Sequence, residues 1–187
     1  MSLPQQIKEI VNLTSHEEQE IGKLFLRREF PKGHFLFQHG EICRHVFYLE
    51  KGLARYYYHS DKGREITGWF FVENQFISSM DSFYENKPTK NYCEMLEDSI
   101  VYSIKQSDLD EMLSKSHTMS IFLYRTMYWN VKKLTEFLFC IRFQTAQERY
   151  RILLNNYPLI FQRVPLHYIA SYLNITPETL SRLRAGK

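Results

Sequence analysis

The chain has 187 residues, with 24 Lys and Arg against 21 Asp and Glu, a net charge of +3 with neutral histidines, and 44% hydrophobic residues. That length can bury one large or two small cores, and that composition excludes a disordered chain. No run of 18 apolar residues exists, and the opening MSLPQQIKEI lacks the apolar stretch of a secretory signal, so a soluble cytoplasmic protein with no membrane partner is expected.

Residues 3–28 read as helical, with Ser15 and Glu18 as a capping box ahead of Ile21, Leu24 and Phe25. From Phe30 the texture changes. Glycines fall at 33, 40, 52 and 63, and between them lie short aromatic and β-branched runs, FLFQ, VFYL, LARYYYH and ITGWFF. Short strands separated by glycine turns predict an all-β sandwich or roll. Asp61-Lys62-Gly63 reads as a hairpin loop. Strands resume at Tyr92–Leu96 and Ser99–Ile104, and the polar stretch from Ser78 to Asn91 is a loop or short helical insertion. Cys43, Cys93 and Cys140 are odd in number and far apart, which gives neither a disulfide framework nor a zinc site and predicts packed thiols.

After Gln106 the strands stop. A short helix is predicted over Ser107–Leu113, capped by Ser107. Thr118 to Phe143 then runs without Gly or Pro. Ile121, Tyr124, Tyr128, Val131, Thr135 and Leu138 recur at alternating steps of 3 and 4, the seam of a helix that pairs with a second copy. A second apolar stripe of Leu123, Met127, Leu134 and Ile141 could cover the β portion. Gln144 to Asn156 is another helix, with Ala146, Tyr150, Leu153 and Leu154 inward, ended by Pro158.

The chain closes on PLHYIASYLNITPETLSRLR, two short amphipathic helices about a tight turn. Ile169, Ala170 and Leu173 form the inner stripe of the first. Asn174 breaks it by taking positive φ, Thr176 caps the second, Pro177 starts it, and Leu180 and Leu183 face inward. Thr179, Ser181, Arg182 and Arg184 remain outside with Glu178, a polar helix of the kind that enters a major groove. Residues 142–187 carry seven Arg and Lys against two Glu, a net of +5, which leaves −2 for the rest of the chain. A basic end on an acidic body points to a polyanion that meets the end alone.

The order of β-roll, long helix and helical pair resembles the cyclic-AMP receptor protein/Fnr (Crp/Fnr) family of bacterial transcription regulators. The resemblance rests on Pro31-Lys32-Gly33, on Gln38-His39-Gly40-Glu41, on Val46-Phe47-Tyr48-Leu49-Glu50-Lys51-Gly52, and on IASYLNITPETLSRLR. It implies an α+β fold made of a cyclic-nucleotide-binding-like double-stranded β-helix or jelly roll over 1–116, a dimerisation helix over 117–143, and a helix-turn-helix over 144–187. With three residues after Arg184, that helix-turn-helix is expected to lack most of its wing. The implied partners are a pseudo-palindromic promoter site in double-stranded DNA, RNA polymerase, a second copy of the chain and a small-molecule effector.

Glu178 and Arg182 match the family's base readers, while Pro177 stands where many members carry another Arg. Thr176, Thr179 and Ser181 would touch phosphates or base edges, and Arg149, Arg163, Arg184 and Lys187 would meet phosphates. The family's nucleotide-binding members follow a Phe-Ile-like start with a Gly-Glu pair and then an Arg for the phosphate. Here Phe76-Ile77 is followed by Ser78-Ser79, and no Arg lies between Arg64 and Arg125. The ribose carboxylate and the bidentate guanidinium are both missing, so the effector is expected not to be cyclic AMP. Ser78, Ser79, Met80, Lys90 and Asn91 mark the corresponding region, and Lys133 would close it from the long helix as the family's pocket implies. No nucleophile–base spacing, metal-ligand cluster or phosphate-cradling glycine loop is present, so no catalytic residue, metal or cofactor is expected. The reading weighed against DNA binding is a ligand sensor that acts through protein contacts.

Overall fold

The computed structural model describes residues 2–186. In chain order the elements are α1 (Leu3–Lys8), α2 (Ser15–Leu24), β1 (Leu26–Phe30), β2 (Phe35–Phe37), β3 (His45–Lys51), β4 (Ala54–His59), β5 (Glu65–Phe71), β6 (Gln75–Ile77), α3 (Met80–Glu85), β7 (Tyr92–Met95) and β8 (Ser99–Lys105). Then come α4 (Gln106–Lys115), α5 (His117–Phe143), α6 (Ala146–Asn156), α7 (Ile160–Arg163), α8 (Leu166–Tyr172) and α9 (Pro177–Arg184). The chain divides into two compact units. The first holds residues 1–57 and 70–128, the second 58–69 and 129–187.

Two four-stranded sheets, ordered β1-β8-β3-β6 and β2-β7-β4-β5, form the roll. The period of two in the strands separates two cores of the first unit. Phe47 and Leu49 of β3 join Phe37, Ala54, Ile77, Cys93, Met95 and Val101 between the sheets. Tyr48 between them, with Ile104 of β8, joins a second cluster built from Ile7, Ile21, Phe83, Leu109, Met119 and Phe122 of the helices. The strand-rich reading and the α+β fold class are thus the observed ones.

The differences from the sequence reading are local. The stretch 3–28 is two helices and the start of a strand. Its capping box is Thr14 with Glu17, because the Thr14 hydroxyl accepts from the Glu17 amide and the Glu17 carboxylate accepts from the Thr14 amide. The helix α4 begins a residue before Ser107, whose hydroxyl donates to the neighbouring Asp108 carboxylate instead of capping. In α6 the cap is Thr145, paired with Glu148, and Leu154 is exposed rather than inward. The irregular stretch after Ser78 contains the single turn and a half of α3, which ends at Asn86 with a left-handed φ of 53°.

In the second unit, Leu153, Ile160, Val164, Ile169, Ala170, Leu173 and Leu180 are buried. They come from α6, α7, α8 and α9 and from Val164 and Leu173, which end α7 and α8, and they share one small core.

Candidate nucleic-acid interface and effector region

The helical pair is built by its turn. Asn174 takes a φ of 53°, and the Ile175 amide donates back to the Ala170 carbonyl over 3.0 Å, which ends α8 sharply. The Thr176 hydroxyl accepts from the Thr179 amide over 3.2 Å, and Pro177 follows in the first turn, where its missing N–H costs nothing. Leu180 is fully buried and Leu183 half-buried, so α9 is pinned on one side. Glu178, Ser181, Arg182 and Arg184 are exposed on the rest of the helix and Thr179 is half-exposed.

The exposed carboxylate of Glu178 is held below its ordinary range by its own backbone N–H and then by the Thr176 hydroxyl, so it stays an anionic acceptor at neutral pH. Arg182 lies one turn further on, its guanidinium 3.4 Å from the Thr179 hydroxyl. An acceptor and a fork of donors one turn apart on an otherwise polar helix can meet a cytosine amine and a guanine edge.

Of the residues expected at phosphates, Arg163 ends α7 half-buried and Arg184 is exposed. Lys187 lies outside the described residues. Arg149 has a different task. Its Nε donates to the Leu173 carbonyl over 3.0 Å and its guanidinium to the Gln144 carbonyl over 2.7 Å. It is a half-buried clamp that satisfies the end of α8 from α6, and no periodicity in the sequence announces it. Sequence reasoning also missed Ser171, whose hydroxyl accepts from the Thr67 amide in β5.

The effector residues of the first unit lie around α3. Ser79 and Thr89 are buried, and their hydroxyls bond each other over 2.8 Å. Thr89 also accepts from the Asn91 amide, and its backbone pairs with Gly40 and Glu41. Ser78 donates to the His45 carbonyl. Met80 and Lys90 are exposed and Asn91 half-buried. The hydroxyls that could meet a phosphate are therefore already engaged with the protein. Lys133 is an exposed residue of the second unit, on the rim of a cavity there.

Along α5, Ile121 packs half-buried on the core of the first unit, whereas Tyr124, Tyr128, Val131 and Leu138 are exposed, Tyr124 at 72%. Thr135 is exposed too, its hydroxyl donating to the Val131 carbonyl. Leu134, Phe139 and Phe143 widen this apolar face, more than a solvated helix normally carries. Among the described residues no group of His, Cys, Asp and Glu could hold a metal, and no helix is long and apolar enough to cross a membrane.

These features define a β-roll of the nucleotide-binding type joined to a helix-turn-helix. The cyclic nucleotide-binding domain family matches residues 27–116. Over 184 residues the chain is 24% identical to the fumarate and nitrate reduction regulatory protein of Yersinia pestis, covering 91% of this chain and 72% of that protein. FixK2 of Bradyrhizobium japonicum shares its fold with a TM-score of 0.74 at 18% identity, over 87% of this chain and 83% of that one. A crp/fnr-family transcriptional regulator from Eubacterium rectale does so with a TM-score of 0.70 at 16% identity, over 93% and 83%. Over most of its length the chain is thus similar to regulators of the Crp/Fnr type and shares their fold.

Proposed function

We propose that the chain is a homodimeric transcription regulator that reads a pseudo-palindromic promoter site in double-stranded DNA and meets RNA polymerase there. The roll and its flanking helices (1–116) take the effector, α5 (117–143) pairs the copies, and residues 144–187 bind DNA. The observation that carries the reading is α9, a Thr176-capped helix anchored by a fully buried Leu180 that leaves Glu178 and Arg182 exposed one turn apart. Glu178 and Arg182 read base edges. Thr176, Thr179 and Ser181 support them, and Arg163, Arg184 and Lys187 meet phosphates. The apolar face of α5 is the surface where two copies meet, which sets the two reading helices about 34 Å apart.

The effector region around Ser78, Ser79, Met80, Lys90 and Asn91 has Ser78-Ser79 in place of the Gly-Glu pair of the nucleotide-binding pattern and lacks its phosphate-binding Arg. Its small-molecule effector is therefore not cyclic AMP.

The test is selection from a random DNA library, then binding of the selected site by the wild type and by Arg182→Ala. A palindromic site is expected, with Arg182→Ala weaker by about 1–3 kcal/mol and indifferent at one base pair. No enrichment at low salt would favour a sensor that acts through protein contacts. A site bound equally by Arg182→Ala would refute the choice of reader.

A further inference from the structure

The second unit contains a cavity of about 420 Å³, inside the range of small-molecule sites. One wall is aromatic. Phe137 of α5 and Tyr172 of α8 stack with centroids 5.2 Å apart, and Trp69 from the β4–β5 hairpin meets both edge-on, at 5.6 and 6.0 Å. Cys140 and Leu153 continue the apolar lining. Gln144, the link between α5 and α6, also lines the cavity. Its side-chain oxygen is covered by protein atoms and accepts no hydrogen bond, so a donor in the cavity meets it after a turn of the amide. The strongest donor nearby, the Arg149 guanidinium, is already spent on two backbone carbonyls. A buried acceptor beside a roomy, mostly apolar cavity, whose polar lining is Lys133, Thr135, Glu136, Arg149, Asn156 and Tyr157, is matched by a molecule that brings its own donor. Lys133 and Glu136, both exposed, bring one cation and one anion to the lining, while the buried part of the walls disfavours charge. Burial pushes the Tyr157 and Tyr172 hydroxyls and the Cys140 thiol above their ordinary values.

We propose that this cavity binds a neutral, planar aromatic molecule that stacks on the Trp69–Phe137–Tyr172 wall and donates one N–H or O–H hydrogen bond to Gln144. The site is independent of the effector region around Ser79 and Thr89, and it requires neither DNA nor a second copy of the chain.

The probe is norharmane, a fluorescent tricyclic with one indole N–H, held in buffer basic enough to keep its pyridine nitrogen neutral and compared with 9-methylnorharmane, which has the same rings without that donor. Fluorescence anisotropy with the full chain is expected to show one saturable site per chain for norharmane and about tenfold weaker binding for the methylated compound. In Gln144→Leu, which keeps the volume and removes the acceptor, the two compounds should bind alike. Cys140→Phe fills the chamber and should abolish binding of both. Far-UV circular dichroism checks that each variant is folded, and if Cys140→Phe is not, the Gln144→Leu comparison decides alone. Absence of saturable binding, equal affinity of the two compounds for the wild type, or binding that survives in folded Cys140→Phe, as it would on the exposed face of α5, each overturns the proposal.

Discussion

Replacing Gly52 by Ala should be among the most damaging single-methyl changes in the roll. Gly52 joins β3 to β4 at a φ of 115°, a conformation that L residues rarely adopt. A Cβ placed there would lie 2.7 Å from the Cβ and 3.0 Å from the Cα of Ser99, and nearer still to the Ser99 hydroxyl. Ser99 cannot retreat. It is buried, pairs with Phe30 in the β1–β8 ladder, and its hydroxyl donates to the Glu97 carbonyl over 2.7 Å. The backbone strain costs about 1–3 kcal/mol, and forcing a methyl into packed surroundings costs about 1–3 kcal/mol more. The sum, about 2–6 kcal/mol, is a large part of the ~5–15 kcal/mol that holds a typical domain together. Urea unfolding followed by circular dichroism should show the midpoint falling by about 1–3 M at a slope near ~2 kcal/mol per molar. Adding Ser99→Gly relieves the clash but not the dihedral, so it should restore about half of the loss. A Gly52→Ala protein within about 0.5 kcal/mol of wild type would refute the close-approach argument.

Val131→Asp and Leu138→Asp each place a charge on the exposed apolar face of α5, and sedimentation at micromolar concentration should find monomers with unchanged secondary structure; a monomeric wild type would sink the pairing surface. Calorimetry should detect no binding of cyclic AMP or cyclic GMP, since the Ser79 and Thr89 hydroxyls bond each other; micromolar affinity for either would contradict that reading. The Glu17 carboxyl is lowered from 4.5 to about 2, first by the Ser116 hydroxyl and then by the Thr14 amide. A depressed carboxylate contributes stability that is complete above pH 4.5 and lost as the pH falls through 2. Glu17 is half-solvated, so that contribution is about 1 kcal/mol. Glu17→Gln should lower the urea midpoint at pH 7 and match wild type near pH 2, and a constant difference across that range would exclude the carboxylate as its source.

The helical pair was the most legible part of the sequence because its signals are local. Asn174 turns, Thr176 caps and Leu180 is buried as their residue types predict. The strands with a buried apolar face were legible for the same reason, since alternation survives in the sequence. The strand β1 was not, because LRREF sits at a sheet edge with four of its five side chains exposed and carries no apolar alternation. Arg149 and Trp69 were misread or overlooked because their roles depend on distant chain segments. The guanidinium serves carbonyls 5 and 24 residues away, and the indole meets Phe137 and Tyr172. Charge alone assigned Arg149 to phosphate, and composition cannot say which cations a fold spends on itself. In the effector region, the missing carboxylate and guanidinium were visible in the sequence. That Ser79 and Thr89 satisfy each other was not.

The cysteines give the molecule a built-in record of its own opening. Cys93 is wholly enclosed between the sheets, and burial pushes its thiol well above the ordinary range, so an alkylating reagent reaches it only when the roll comes apart. Cys140 is only partly covered and belongs to the other unit. The labelling rates of these two positions therefore clock the breathing of two separate parts of one chain, without an added probe or an engineered residue.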